Sequence, residues 1–347
     1  MPSTYKRIGI IGAGAVGSVV GGSLSHAGHE VTLVDQWPEH IETIKKKGLV
    51  VETQTERFVS HPTALHIHEL QYVSQQFDVV FIAVKSYDTE WVTTLSLRYL
   101  HPDHGIIVDF QNGINDECVA EIAGKNISLG CIITIGAALY EPGVALRTDT
   151  NALAFKIGEQ NGSDTTRSRE LVQIMQSVAE TEFTDDLWGE RWSKLMINCM
   201  TNALSGISGY GTADVRVMTE PRRVGIQLGA EVVRVAKAYG HKLHPVLGLS
   251  PEAIVEAAEG QNIEEVESIL MESARNAGSA GRPSMGQDVL KGRRTEIDFL
   301  NGYVSKMGRE KKIPTPFNDH IVSIVHSLGI GFKSSPSNLK SLVDLLS

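Results

Sequence analysis

Short apolar runs alternate with helical stretches along the first half of the chain. Residues 77–84 (FDVVFIAV) form a continuous run rich in β-branched and aromatic residues, which is typical of a strand buried on both faces. Residues 7–11, 30–34 and 105–110 are similar runs, and residues 15–27 have a helical pattern. Strands separated by helices predict βαβ units, so we expect an N-terminal Rossmann-type, doubly wound α/β sheet.

The pattern becomes shorter and more strand-like between residues 127 and 157. Several apolar runs there are separated by turn signals such as Glu141-Pro142-Gly143. This arrangement predicts an antiparallel extension of the sheet. A helical stretch at 164–178 and a short run at 180–183 follow, so we predict that the α/β domain covers residues 1–184.

From about residue 185 the apolar periodicity is helical and remains so. Asp185 or Asp186 is a plausible N-cap for a long first helix. Further helices are predicted at 221–239, from Pro251, and at 263–274, 295–309 and 316–328. We therefore predict an all-α C-terminal domain over residues 185–347.

Composition and charge exclude several classes of protein. The chain has 32 Lys and Arg against 41 Asp and Glu, and this net charge of −9 argues against a nucleic-acid groove or an anionic membrane surface as partner. No apolar run reaches the roughly 18 residues that a membrane span needs. Cys118, Cys131 and Cys199 are widely spaced, and His66 and His68 have no clustered ligands beside them, so no metal site is predicted. We expect a cytoplasmic protein that acts on a small molecule.

A glycine-rich motif directly follows the first predicted strand. It has the G-x-G-x-x-G spacing and consists of Gly12, Ala13, Gly14, Ala15, Val16 and Gly17. Between a strand and a helix, this spacing is the fingerprint of a dinucleotide site, because the helix N-terminus offers N–H groups to the pyrophosphate. The alternative is a glycine-rich turn that serves packing only.

Asp35 ends the second predicted strand, 23 residues after Gly12 (35 − 12). A carboxylate at this position accepts hydrogen bonds from the ribose hydroxyls of NAD and repels the 2′-phosphate of NADP. Gln36 follows it, where an NADP site would favour arginine. NAD is therefore the favoured cofactor, with NADP still possible. The alternative is that Asp35 only caps the turn at Trp37-Pro38.

Three polar residues recur every four positions in an otherwise apolar helical stretch. Lys194, Asn198 and Asn202 are successively offset by only 40° around a helix and so form one stripe. A helix that is apolar on most sides is buried, and burying an ammonium and two amides is costly without partners. An anionic substrate would supply such partners, and so would polar groups elsewhere in the protein.

Four more residues are candidates for the same site. Lys85 and Asn112 follow predicted strands, where ligands of open α/β sheets bind, although each is also a common turn residue. Ser284 and Glu296 lie in the segment RPSMGQDVLKGRRTEIDFLNG. Thr295 is predicted to be an N-cap, which places Glu296 in the first helical turn, where acids are common because of the helix dipole.

Together these motifs resemble those of the ketopantoate reductase (2-dehydropantoate 2-reductase) family over nearly the whole chain. The resemblance rests on GAGAVG, on VKSYD around Lys85, on QNG at Asn112, on the W-x-K-x-x-x-N-x-x-x-N helix, and on SMGQD followed by RRTEIDFLNG. It implies a Rossmann domain and a helical domain with the reaction in the cleft between them. It also implies NAD(P)-dependent reduction of a branched 2-oxo acid, with 2-dehydropantoate giving D-pantoate in pantothenate biosynthesis as the first candidate.

The resemblance also implies individual roles. Lys194 would be the general acid that protonates the C2 alkoxide, and Glu296 the carboxylate that orients the lysine and the substrate. A lysine ammonium near a carbonyl oxygen that gains charge fits this chemistry. The residues implied to bind substrate or to border the nicotinamide are Asn112, Asn198, Asn202, Ser284 and Lys85.

Some positions depart from the family pattern and keep alternatives open. Thr212 and Gly281 stand where the family has substrate asparagines, and Asp35-Gln36 replaces its basic residue for the 2′-phosphate. One alternative is an NAD-dependent D-2-hydroxyacid dehydrogenase for another branched or bulky acid. Two further alternatives are a member of the β-hydroxyacid dehydrogenases and a non-catalytic NAD-binding regulatory protein. The apolar helical half favours a homo-oligomer, with a dimer as the simplest form.

Overall fold

The structure, a computed structural model, describes residues 7–150, 152–276 and 282–346. The chain forms two compact units, Met1–Leu187 and Trp188–Ser347. Unit 1 combines sheets and helices, and unit 2 is helical. In the part of the chain that the structure describes, no helix is both long enough and apolar enough to cross a bilayer.

Unit 1 contains an eight-stranded sheet and a four-stranded sheet. The strands are β1 (Arg7–Ile11), β2 (Glu30–Asp35), β3 (Leu49–Glu52), β4 (Arg57–Ser60), β5 (Thr63–His66), β6 (Val79–Ile82), β7 (Ile106–Asp109), β8 (Ser128–Ile133), β9 (Ala137–Glu141), β10 (Val144–Arg147), β11 (Leu153–Gly158) and β12 (Glu180–Phe183). The larger sheet has the order β12-β11-β8-β7-β6-β1-β2-β5, and all neighbours from β5 to β8 are parallel. This order confirms the predicted Rossmann-type sheet.

The predicted antiparallel extension is only part of the segment 127–157. Strand β8 joins the sheet parallel to β7, and β11 then pairs with β8 in the antiparallel direction. Strands β9 and β10 instead leave this sheet and pair with β3 and β4 in the order β4-β3-β10-β9. The sequence patterns above did not predict β3, β4 or β5. Each has only four residues, of which at most three in a row are apolar.

The helices of unit 1 are α1 (Ala15–His26), α2 (Pro38–Lys47), α3 (Thr89–Ser96), α4 (Asp116–Ala123) and α5 (Thr166–Met175). Helix α1 packs against both sheets through two adjacent glycines. A Cβ on Gly21 would lie 2.5 Å from Leu33 of the large sheet, and one on Gly22 would collide with Val51 of the small sheet. The small sheet therefore contacts α1 on a different face from the large sheet.

The helices from the start of unit 2 onward are α6 (Leu187–Ser208), α7 (Thr212–Val217), α8 (Thr219–Ala238), α9 (Pro251–Ala258), α10 (Ile263–Asn276), α11 (Ser284–Leu290), α12 (Asn301–Lys311), α13 (Pro316–Leu328) and α14 (Lys340–Val343). Helix α6 is the longest, and Trp192, Leu195 and Cys199 on it are at most 1% exposed. The prediction of one helix over 295–309 was wrong. A 3₁₀ turn at Ile297–Phe299 comes first, and Leu300, with φ −110° and ψ −93°, separates it from α12.

A buried polar cluster ties α6 to three other helices of unit 2. The Glu231 carboxylate on α8 accepts the backbone N–H groups of Phe317 and Asn318 at 2.9 Å each. The Asn318 side chain donates to Glu231 at 2.7 Å and accepts from Asn301 at 2.9 Å. Asn301 also donates to the Cys199 carbonyl of α6 at 3.5 Å. Because buried polar groups are stable only when paired, this cluster fixes the contacts of α6 with α8, α12 and α13.

Candidate active site

The glycine-rich loop, residues 12–17, comprises the turn from β1 to α1 and the first three residues of α1, as predicted. Gly12 has φ +108°, and a Cβ there would lie 2.6 Å from the carbonyl carbon of Ala83, so only glycine fits. A side chain at Gly17 would collide with the Gly12 carbonyl oxygen. These two glycines are therefore required by the tight turn and by the close contact of helix and strand.

Gly14 differs from its neighbours because the space beside it is open. It has φ −71°, which any residue adopts, and no described atom lies within 4 Å of the place that its Cβ would take. Gly14 immediately precedes α1, whose first turn carries no acidic residue. Open space beside the residue that directly precedes a helix N-terminus fits the pyrophosphate of a dinucleotide, which such N-termini bind through backbone N–H groups.

Asp35 lies at the carboxyl end of β2, next to this loop, because β2 is the parallel neighbour of β1. Its Oδ1 accepts the backbone N–H of Trp37 at 2.8 Å. The capping interaction considered from the sequence is thus present. The role of Asp35 toward a ribose stays a prediction.

The loops after β6 and β7 are hydrogen-bonded to each other and carry Lys85 and Asn112. The Ser86 hydroxyl donates to the Asn112 carbonyl at 3.2 Å, and the Gln111 side-chain amide donates to the Val84 carbonyl at 2.8 Å. Since β6 also neighbours β1, the structure brings Lys85 and Asn112 to the same edge of the sheet as the glycine loop.

Buried polar residues that the sequence patterns did not predict hold these two loops together. Ser86, Thr89, Gln111 and Asn115 are at most 5% exposed. The hydroxyl of Thr89 donates to Gln111 at 3.1 Å, and Asn115 donates to the Asn112 carbonyl at 3.0 Å. The sequence feature that could have identified them is their position. Ser86 and Gln111 are next to Lys85 and Asn112, just after continuous apolar runs, and Thr89 and Asn115 follow within four residues.

The polar stripe of unit 2 lies on α6. Asn198 and Asn202 are 6% and 7% exposed, and Lys194 is half-buried. Thr201 and Ser205 are two further buried polar residues of α6, at 6% and 0% exposure, that the stripe analysis left out. The helix therefore presents amide, hydroxyl and ammonium groups in surroundings that are otherwise apolar.

Two further segments of unit 2 contact α6. Ser284 begins α11, and a Cβ on Gly286 of that helix would lie 2.9 Å from the hydroxyl of Ser205. Glu296 is 4% exposed and lies five residues before Asn301, which bonds the backbone of α6. Both candidate residues are thus in segments that pack on the helix carrying the stripe.

The local structure at Glu296 differs from the prediction. Glu296 itself caps the 3₁₀ turn, and its carbonyl accepts the N–H groups of Phe299 and Leu300 at 3.0 and 3.1 Å. The predicted N-cap, Thr295, lies one residue before the observed one, because the segment forms this tighter 3₁₀ turn before α12 begins. Thr212 is the first residue of α7, and Gly281 lies outside the described residues.

Metal chemistry has no candidate ligand set in the described ranges. No group of three or more His, Cys, Asp or Glu side chains there could hold a metal ion. His66 Nε2 lies 3.0 Å from a Glu42 carboxylate oxygen, and its ring stacks on that of His68 within unit 1.

Comparisons with known proteins agree over both units. The family model described as ketopantoate reductase PanE/ApbA matches residues 8–162, and the model of its C-terminal part matches residues 186–329. A 2-dehydropantoate 2-reductase of Pyrococcus horikoshii is 28% identical over 333 residues, which cover 94% of this chain and 100% of the relative.

Two solved structures show the same fold. A PanE/ApbA family ketopantoate reductase from Ralstonia eutropha has a TM-score of 0.74 and 25% identity, and the match covers 98% of this chain and 99% of that one. A D-mandelate dehydrogenase, solved with NADH and anilino(oxo)acetate, has a TM-score of 0.76 and 21% identity, with the same coverage. At 21% identity, this second likeness concerns the fold alone.

Proposed function

This chain belongs to the ketopantoate reductase family, and on that premise we propose that it transfers a hydride between a nicotinamide dinucleotide and a branched 2-oxo acid. The substrate proposed first is 2-dehydropantoate, reduced to D-pantoate, as the name of the Pyrococcus horikoshii relative suggests. The observation that carries the proposal is that the glycine-rich turn, with open space beside Gly14, lies at the same sheet edge as the hydrogen-bonded loops of Lys85 and Asn112.

We propose that residues 1–184 bind the cofactor and that residues 185–347 supply the substrate-binding side chains. Backbone N–H groups at the start of α1 hold the pyrophosphate, and Lys85 and Asn112 border the nicotinamide. The residues of the loop in this role are Gly12, Ala13, Gly14, Ala15, Val16 and Gly17. When bound, the cofactor supplies the hydride.

The proposed role of Lys194 follows from the charge that develops on the substrate. A hydride added to C2 leaves negative charge on the carbonyl oxygen, and an ammonium both stabilises that charge and donates the proton. Glu296 orients this ammonium. Asn198, Asn202 and Ser284 donate or accept hydrogen bonds with the carboxylate and hydroxyl groups of the acid, which suits amides and hydroxyls on a buried surface.

A matrix of cofactors and substrates tests this function. We expect the purified protein to give its highest kcat/KM with 2-dehydropantoate, compared with 2-oxoisovalerate and benzoylformate, each assayed with NADH and NADPH. A higher value for benzoylformate would instead support a D-2-hydroxyacid dehydrogenase. Cofactor binding with no turnover of any 2-oxo acid would support the regulatory alternative.

We propose NAD as the preferred cofactor because of Asp35. Its carboxylate, fixed by the Trp37 N–H at the end of β2, repels a 2′-phosphate and suits a 2′-hydroxyl. The change Asp35→Ala should lower the ratio of kcat/KM for NADH to that for NADPH by roughly tenfold, the effect of one lost charged contact. An unchanged ratio would contradict this role for Asp35.

A homodimer is proposed for the assembled protein. Large apolar side chains of unit 2 are exposed in the single chain, with Val217, Leu290 and Ile330 at 52%, 60% and 76%. Such side chains are typical of interaction surfaces when they are clustered. Light scattering after size exclusion should give twice the chain mass of 37.8 kDa, and a mass of one chain would reject the dimer.

A further inference from the structure

One buried histidine connects the glycine loop to two other parts of unit 1. His40 lies on α2 and is 0% exposed, and its Nε2 is 3.0 Å from the hydroxyl oxygen of Ser18 on α1. The Ser18 hydroxyl, also fully buried, donates to the carbonyl of Ala13 within the loop at 2.8 Å. On the other side of the ring, the backbone N–H of Gly143, in the turn between β9 and β10, donates to Nδ1 at 2.9 Å.

The direction of each bond follows from the chemistry of the groups. The Gly143 N–H can only donate, so Nδ1 of His40 accepts. Ser18 has one proton, which goes to the Ala13 carbonyl, so its oxygen accepts from Nε2–H. His40 is thus a neutral ring with its proton on Nε2. Burial lowers the pKa of His40 to about 4, so this form persists near neutral pH.

This chain of bonds acts on a peptide group of the candidate phosphate site. The Ala13–Gly14 peptide is trans, so its C=O and its N–H point in opposite directions. Because Ser18 holds the Ala13 carbonyl, the N–H of Gly14 points away from Ser18. Gly14 is the residue with open space beside it at the start of α1. Without the Ser18 bond, the carbonyl of this peptide would lose its donor and the peptide could rotate.

We propose that His40 is a positioning residue for the pyrophosphate of the cofactor, acting through Ser18 on the Ala13–Gly14 peptide. In this chain of bonds, His40 acts on the loop through Ser18 of α1. The Gly143 contact fixes the ring by attaching it to the small sheet. This inference rests on the proposed dinucleotide binding and adds to it a residue that is 28 positions beyond Gly12 (40 − 12).

Two substitutions of His40 separate its two contacts. His40→Gln carries an amide near the position of Nε2 and keeps a donor toward Ser18, whereas His40→Asn keeps only an acceptor near the position of Nδ1, toward Gly143. Ser18→Ala removes the relay itself. Affinities should be measured for NADH, for ADP-ribose, which contains the pyrophosphate, and for adenosine, which has no phosphate, in competition with NADH fluorescence.

We expect His40→Asn and Ser18→Ala to raise the Kd for NADH and ADP-ribose roughly 3- to 10-fold, the range for one lost hydrogen bond. His40→Gln should stay within about twofold of the wild type, and the affinity for adenosine should be unchanged in all three variants. Ile44→Val is the matched control. It trims a core side chain of the same helix that is 2% exposed, without touching a polar group, and should leave every Kd unchanged.

The outcomes that would overturn the inference are distinct from failure of the proposed function. If the wild type binds NADH and the His40 and Ser18 variants bind it equally well, the positioning role is wrong and the proposed function stands. Equal losses for adenosine and ADP-ribose, or His40→Gln as weak as His40→Asn, would also reject it in favour of general packing. A wild type that binds neither NADH nor ADP-ribose would reject the proposed function and this inference together.

Discussion

The candidate site residues of the two units are built in different ways. In unit 1, backbone geometry forms the candidate site. Gly12 and Gly17 allow the tight turn, and the space beside Gly14, directly before α1, is open. In unit 2, the candidate residues are side chains on one buried helix, with Lys194 and the two asparagines in a stripe. A site formed by backbone groups requires small residues at its turns. A site formed by side chains requires that the packing around its helix fixes the position of that helix.

Each unit also holds its part of the site with a buried polar group, but of a different kind. Unit 1 uses the neutral ring of His40, which donates once and accepts once. Unit 2 uses the Glu231 carboxyl, which accepts three hydrogen bonds from Phe317 and Asn318. Burial raises the pKa of Glu231 and lowers that of His40, so in both cases desolvation favours the uncharged form.

The largest expected effect separates chemistry from cofactor binding. Lys194→Ala should lower kcat by about 10²- to 10⁴-fold, because general-acid catalysis and charge stabilisation are lost. The Kd for the dinucleotide should stay the same, since the proposed binding groups for it are backbone groups of residues 12–17. Lys306→Ala, which removes an exposed lysine from α12, serves as the control. Steady-state kinetics measure kcat, and a fluorescence titration measures the Kd for the dinucleotide. An unchanged kcat would contradict the proposed role of Lys194 in the mechanism.

Two alanine substitutions in one loop test whether unit 1 is built from backbone. Gly12→Ala should lower the free energy of unfolding by about 3 kcal/mol, because φ is +108° and the methyl group would meet the Ala83 backbone. Gly14→Ala should change it by less than about 0.5 kcal/mol, as at an unconstrained surface position. It should still weaken NADH binding about tenfold or more, because the methyl group fills the open space.

Denaturant unfolding and NADH titration on both variants give the answer. A Gly14→Ala protein that binds NADH as tightly as the wild type would show that the open space does not receive the pyrophosphate. A Gly12→Ala protein of wild-type stability would contradict the steric requirement at that turn.

The glycine loop was predictable from sequence because its requirements are local. Glycine is required where φ is positive, where a Cβ would collide with a neighbouring strand, and at the helix start, and these positions have a fixed spacing. The strand and the helix around them also have clear periodicity. The stripe on α6 was predictable for a similar reason, since a four-residue spacing places side chains on one face of any helix.

The features that sequence did not predict depend on contacts between distant segments. The pairing of β10 with β3 joins residues 94 positions apart (144 − 50), and nothing in either segment alone indicates it. The same holds for His40, whose partners Ser18 and Gly143 lie 22 positions before it and 103 positions after it. The 3₁₀ turn after Glu296 was missed because the apolar pattern there also fits an α-helix.

A smaller effect is expected from the anchoring cluster of unit 2. Asn318→Ala removes side-chain bonds to Glu231 and Asn301, both buried, and should lower the free energy of unfolding by about 2 kcal/mol. Asn318→Asp places a carboxylate beside Glu231, so its stability deficit should shrink as the pH falls and a carboxyl group takes up a proton. Denaturant unfolding at pH 7.5 and 5 measures both. Equal deficits of Asn318→Asp at the two pH values would argue against the direct contact with Glu231.

The smallest expected effect concerns the pH dependence of unit 1. Unfolded His40 takes up a proton near its ordinary pKa of 6.5, whereas the folded ring does so only near 4. Since the unfolded chain binds more protons between these values, stability should fall as the pH is lowered through this window and be unaffected above it. Between pH 7.5 and 6 the loss should be about 1 kcal/mol. His40→Gln lacks this titration, so the difference between its unfolding free energy and that of the wild type should change by the same amount over this range. Parallel curves for the two proteins would mean that the folded ring is protonated as easily as the unfolded one, and the bond from Gly143 to Nδ1 would then be absent in solution.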